Sequence, residues 1–248
     1  MRVFGAGRVG AGIATFLAAS GVAWVNCRDT GTVTPADVMP GGLDPGDVGD
    51  DRAAGVARAI RRVAREVRTA DDAARLPDLA VLAGPGAGAG PMTLAELIRL
   101  RVPHLAVAAD EAIGVVGPLV EPGRSACLRC VDLSKAARDP AWPVILAQAG
   151  GLAGEGAGGA GLAVSPQACG TVLAAATAAL AAAQALAFID RAVPLITAGG
   201  TLELVLPDWQ WRRRSWPPHA ACTCGAAGAL ATTGALSAPQ RVGWVRSE

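Results

Sequence analysis

The sequence predicts an α/β fold: a doubly wound, mostly parallel sheet with antiparallel strands toward its C-terminal end. Three observations carry this expectation. A glycine turn joins a short strand to a helix in "RVFGAGRVG". Strand-like and helix-like stretches alternate through the first half of the chain. The run "IGVVGPLV" then follows a strand with no helix between them, so it reads as antiparallel.

Taken in order, Val3 and Phe4 end a short apolar strand, and Ile13, Phe16 and Leu17 fall on one face of the helix after it. "GVAWVN" reads as the second strand. A glycine- and proline-rich connection runs from Cys27 to about Asp51, and "RAAGVARAIRRVARE" is an amphipathic helix. "LAVLAG" is a strand, "PMTLAELIRLRV" a helix that Thr93 can cap, and "HLAVAA" a strand. The second half holds a cysteine pair, a helical stretch through "DPAWPVILAQ" and the glycine-rich loop "GGLAGEGAGGAG". A long alanine helix follows, then strands near "PLITAGG" and "TLELVLPD". "WQWRRRSW" reads as an edge strand with a solvated arginine face, or else as a patch for acidic ligands. One domain over 1–225 is expected, with residues 226–248 a loose tail.

Composition excludes several classes of function. The chain has 248 residues, 52% hydrophobic and 17% charged, with a net charge of +1. That leaves no basic footprint for nucleic acid or an anionic membrane. Tyrosine is absent, so no step can use a phenol, and Lys135 is the only lysine. Thr171–Ile189 holds 19 uncharged residues, the lower limit for a membrane span. Its alanine content favours a buried or dimer-facing helix instead. No signal peptide is visible, which points to a cytoplasmic protein whose cysteines serve as ligands or nucleophiles more often than as disulfides.

Gly5, Gly7 and Gly10 form G-x-G-x-x-G between a strand and a helix. Such glycines let the backbone turn tightly and approach phosphate, while the helix N-terminus aims N–H groups at an anion. Asp29 lies 19 residues past Gly10, where a carboxylate can accept hydrogen bonds from a ribose diol. The pattern fits an adenine nucleotide without separating NAD from ATP, and it also fits a tight turn that binds nothing.

Cys127 and Cys130 form C-x-x-C; Cys222 and Cys224 form a second, shorter knuckle 92 residues beyond Cys130. Two such knuckles can hold one Zn²⁺ as four thiolates. His219 stands three before Cys222 and can replace a thiol. A redox pair and free thiols are the rivals, although a thioredoxin-like pair opens a helix directly after a first strand, which this one does not. Cys27 and Cys169 have no partner spacing and read as small core residues. His104 and His219, the only histidines, read as structural, which leaves a nicotinamide-dependent oxidoreductase without a placed proton donor.

The succession of glycine loop, Asp29, long loop, arginine helix, C-x-x-C, glycine-rich crossover, apolar helix and final knuckle resembles the ThiF/MoeB/HesA family, relatives of the ubiquitin-activating enzymes. The resemblance covers residues 1–225 and implies a Rossmann-like, zinc-clipped domain, with the clipped part starting near residue 121. It implies binding of ATP with Mg²⁺ and adenylation of the C-terminus of a precursor peptide or ubiquitin-like carrier protein, commonly in a homodimer. More narrowly, "GVVGPLVEPGRSACLRCVDLSKAARDPAWP" is similar to ThiF-like proteins of actinobacterial azole-peptide clusters. Those bind a leader peptide and deliver it to a YcaO-type cyclodehydratase. The resemblance implies nucleotide contacts at Gly5, Gly7, Gly10, Asp29 and Arg52, with metal ligands Cys127, Cys130, Cys222 and Cys224.

Departures fall at the reacting end of ATP. Gly31 stands where the family has a second ribose acid, Asp37 replaces an asparagine, and Pro40 and Gly41 stand for arginine and glutamine. Arg52 replaces the phosphate lysine, a planar fork for a point charge. No acid stands near Pro85, where the family holds Mg²⁺. Adenylation is therefore expected to be weak or lost unless Arg28 and Arg52, or a dimer partner, supply the missing groups; Asp50 and Asp51 read as solvated loop acids. The alternative is an inactive scaffold that holds a precursor peptide or a cyclodehydratase. The lead before the glycine loop is short, so either the chain is a shortened form or its start is incomplete.

Overall fold

A computed structural model describes residues 1–72, 74–84, 91–151, 169–191 and 195–228. The run around Pro85, the glycine-rich crossover before Cys169 and the end of the chain from 229 lie outside the described residues.

The strands are β1 (Arg2–Phe4), β2 (Asn26–Arg28), β3 (Ala80–Ala83), β4 (His104–Asp110), β5 (Ile113–Val120), β6 (Gly200–Val205) and β7 (Gln210–Ser215). They form one sheet in the order β2-β1-β3-β4-β5-β6-β7. The first four are parallel; β5, β6 and β7 each run antiparallel to the strand before them in the chain. The helices are α1 (Arg8–Ala19), α2 (Arg52–Val63), α3 (Pro91–Arg99), α4 (Leu128–Ala136), α5 (Trp142–Gly151) and α6 (Thr171–Ile189).

Alternation in the strands divides the core. Val81, Leu105 and Val107 face a cluster with Ile13 and Leu17 of α1, Val56 and Ile60 of α2, and Leu173 and Ala178 of α6. Ala80 and Leu82 face the other way, onto Leu97 of α3 and Val102. A third cluster joins Val120 of β5 to Cys127, Cys130, Trp216 and Cys222. This is the period-2 logic of a sheet covered on both faces.

The alanines of α6 let it lie close to its neighbours. A Cβ on Gly12 of α1 would stand 3.1 Å from that of Ala178, and one on Gly114 of β5 only 2.1 Å from Thr177 Oγ1. The helix is long and apolar enough to cross a membrane by length and composition, yet Leu173, Ala174, Thr177, Ala178, Ala181, Ala182, Gln184 and Ala185 are buried within the fold. Its other side leaves Val172 and Ile189 exposed.

Several local expectations change. The second strand begins at Asn26, not at Gly21, because Trp24 pairs with Arg68 on its outer side. Phe16 is exposed, since the buried line on α1 follows Val9, Ile13 and Leu17. Among residues 195–199 "PLITAGG" gives only an isolated bridge, Leu119 to Ala198, and β6 pairs with β5 on one side and the arginine-rich β7 on the other.

Candidate functional site

The glycine loop closes on itself through packing. Gly5 has φ +92°, and a Cβ there would stand 1.8 Å from Ala83 O; one on Gly10 would stand 2.0 Å from Gly5 O. Gly7 caps α1 with φ −72° and ψ −168°, angles open to any residue. Two of the three glycines are thus required by the approach of β1, α1 and β3, with or without a phosphate.

Asp29 sits just past β2 and reaches into this loop. Its Oδ2 accepts the Ala6 N–H at 2.7 Å, and its Oδ1 accepts the Gly31 N–H at 2.7 Å. The sequence brought Gly5, Gly10 and Asp29 together correctly; the N–H bonds that Asp29 accepts were not legible.

Arg52 opens α2, whose N-cap is Asp51 through the Ala54 N–H. The guanidinium does not point to solvent. Nε and Nη2 donate to Asp37 Oδ2 at 3.2 and 3.0 Å, and Nη1 lies 3.8 Å from Asp29 Oδ1. Side-chain exposures of 6% for Arg52 and 3% for Asp37 make this a buried pair. A Cβ on Gly31 would stand 2.8 Å from Arg52 Nη1, so the arginine fills the space beside the position where the family has its second acid.

The long connection is held by a repeated device. Thr34-Pro-Ala-Asp37 and Asp44-Pro-Gly-Asp47 each form one 3-10 turn with a capping box, ten residues apart. Each ends in a buried aspartate that takes an arginine from α2: Asp37 takes Arg52, and Asp47 takes Arg58. Burial works against ionisation of Asp47, but the Asp44 N–H and Arg58 outweigh it and hold its carboxyl below the usual range. Asp50 pairs with Arg58, so neither it nor the capping Asp51 is a free loop acid. The repeat was visible in the sequence as two x-Pro-x-Asp units, and an arginine helix following them was the missed signal.

Beside Asp29 lies an open cleft of about 450 Å³, lined by Cys27, Asp29, Ala53, Ala57, Ile60 and Thr69 among others. Burial, aided by Asp29, pushes the Cys27 thiol up to about 12, so it behaves as an apolar wall. Arg28 pairs with Asp71 at 3.0 Å at the rim. On the other side of the loop Arg8, an unremarked x of the glycine motif, donates from Nη1 to Cys169 O at 2.6 Å, while its Nε is buried without a partner among the described residues.

The four cysteines meet as the spacing predicts. Cys127 caps α4 and Cys130 lies in its first turn, while Cys222 and Cys224 come from the turns after β7. Their Sγ atoms lie within 4.8 Å of one another, with Cys127–Cys130 at 3.8 Å and Cys127–Cys222 and Cys130–Cys224 at 3.6 Å. Four thiolates about 2.3 Å from a zinc ion stand about 3.8 Å apart, so the donor set fits that ion. Burial pushes the Cys127 and Cys222 thiols up. It also opposes ionisation of Cys224, but the Ala226 N–H and neighbouring thiols outweigh it and lower that thiol. His219 accepts the Ala221 N–H and stays outside the cluster among the described residues.

A Rossmann-like sheet with this crossover order and cysteine cluster is the ThiF/MoeB-like fold. Comparison of the structure bears this out. Escherichia coli MccB solved with ATP superposes with a TM-score of 0.66 at 16% identity, over 90% of this chain and 65% of MccB. The microcin C7 biosynthetic enzyme MccB in complex with N-formylated MccA gives 0.67 at 17%, over 90% and 66%. PaaA gives 0.61 at 18%, over 86% and 71%. The chain thus spans about two thirds of the MccB it resembles, and the likeness is one of fold. Sequence comparison with family models and with curated proteins gives no match.

Proposed function

We propose that the protein holds a precursor peptide for modification by a partner enzyme and does not adenylate the peptide itself. The observation that carries this reading is the buried commitment of Arg52 to Asp37 and Asp29. Adenylation requires positive groups on the triphosphate as pyrophosphate leaves, and one well-placed arginine is worth on the order of 10³–10⁵ in related phosphoryl chemistry. Arg52 has no such freedom without uncovering two carboxylates. With Arg52 so held, it is withheld from the charged end of Mg-ATP, and Gly31 offers no second acid to the ribose.

The partner is a YcaO-type cyclodehydratase, a reading supported by the resemblance of residues 114–143 to leader-binding proteins. That MccB has been solved with the peptide MccA on this same fold supports a peptide ligand. The reading includes one zinc ion on Cys127, Cys130, Cys222 and Cys224. Its role is structural: it ties the start of α4 to the segment after β7. A homodimer through the exposed side of α6 completes the assembly, in the cytoplasm.

Adenylation is kept as a second reading because two observations favour it. The cleft beside Asp29 is large enough for a nucleoside, and Arg8 stands at the glycine loop without a carboxylate partner among the described residues. Pyrophosphate exchange with Mg-ATP and the candidate precursor, alongside calorimetric titration with ATP, separates the two. We expect no exchange and no micromolar ATP affinity. Peptide-dependent exchange would establish the adenylating reading and end the first.

A further inference from the structure

We propose that the outer edge of β7 takes up an extended acidic segment of the peptide, which joins the sheet as an eighth strand. This deepens the peptide-carrier reading and rests on it.

The backbone supplies the dock. Among the described residues β7 pairs only with β6, and all six of its residues are exposed. Trp216 N–H donates to Gly199 O, so in this antiparallel register Gln210, Arg212 and Arg214 also turn their N–H and C=O groups toward β6. Trp211, Arg213 and Ser215 therefore aim theirs outward, at the free edge. An edge of this length is a template for another strand unless it is covered or guarded.

The side chains set the chemistry of the occupant. Arg212 pairs with Asp208, and Arg214 pairs with Glu203 through two nitrogens. Among the described residues Arg213 donates only to the carbonyls of Ile196 and Ala198 and to Ser215 Oγ, and its charge meets no carboxylate. Trp211 of β7, and Trp209 in the turn before it, leave indole surface exposed. The Arg213 guanidinium and the Trp211 indole share one face of β7 beside free backbone groups, which fits an extended segment carrying acidic side chains on that face. A second copy pairing edge to edge would set two runs of three arginines against each other, so like-charge repulsion disfavours it.

The test is fluorescence anisotropy of the full chain with labelled ten-residue peptides. An alternating Glu–Val peptide should bind saturably and weaken with salt, and the Lys–Val counterpart should not bind. N-methylation of every second peptide amide, which leaves the protein untouched, should weaken binding about tenfold or more. Arg213→Pro, which deletes one outward N–H on an edge where proline is tolerated, should do the same; Arg213→Gln should lose less and flatten the salt dependence. Equal binding of acidic and basic peptides, no binding of either, or indifference to N-methylation would overturn the proposal. Pyrophosphate exchange by the wild type is the separate readout for the carrier reading: exchange would end that reading, whereas failure of the anisotropy test alone would end only the edge proposal.

Discussion

Arg52 and Asp37, 15 residues apart, meet through two guanidinium N–H groups on one carboxylate oxygen, in a site where both side chains are almost wholly buried. The same oxygen accepts Thr34 N–H and Oγ1–H, each at 2.8 Å. The pair therefore fixes the first 3-10 turn of the long loop to the start of α2.

Arg52→Met should destabilise the fold by about 3–5 kcal/mol, because it leaves the buried Asp37 carboxylate without its cation. The Thr34 bonds keep the loss toward the lower figure. Denaturant unfolding reads it directly. A change below about 1 kcal/mol would mean that the arginine is free to serve a ligand, and the adenylating reading would gain.

The cysteine cluster predicts one zinc per chain after purification, measured by metal analysis. Cys130→Ser should lose that metal and lower the unfolding midpoint, since binding energy at a structural site is folding energy. Cys27→Ser lies outside the cluster and should keep it. A chelator-washed, folded sample with no zinc would defeat this prediction.

How far these features were legible depended on the range of the interactions. The order of elements, the antiparallel turn at "IGVVGPLV" and the meeting of Cys127 with Cys222 followed from local pattern and ligand spacing. The start of β2 did not, because the bridge from Trp24 to Arg68 depends on a partner 44 residues away. Asp37 was read only as a substituted asparagine, since a buried ion pair has no local signature. Arg8 escaped notice because the glycines around it drew the chemistry to the backbone. The exposed arginine strand was anticipated, but its parity, which decides the backbone groups that face outward, needed the register with β6.

Gly10→Ala should cost a few kcal/mol of stability in the absence of any nucleotide, because its Cβ would stand 2.0 Å from the backbone oxygen of Gly5. Gly7→Ala should cost much less, as Gly7 already has extended angles. If instead the two variants unfold alike, the glycines are not serving the packing of β1, α1 and β3 described above.

His104 gives a pH dependence whose sign is fixed by its surroundings. Its Nδ1 lies 3.0 Å from Val102 O and so carries the proton, which leaves Nε2 as a fully buried lone-pair atom without a partner among the described residues. Burial pushes its pKa down, only partly opposed by the Val102 carbonyl. A base whose folded pKa is depressed binds its proton more readily when unfolded. Its contribution is therefore fully present above the unfolded value of about 6.5 and is lost as pH falls through it, by up to about 1.4 kcal/mol per pH unit. In the zinc-bound form proposed above, acid also displaces the metal by protonating its ligands, so the useful quantity is a difference. Unfolding free energies of the wild type and His104→Leu, compared between pH 8 and pH 5, should diverge in slope only below about 6.5. Parallel profiles throughout would show that the imidazole is protonated as easily inside the fold as outside it.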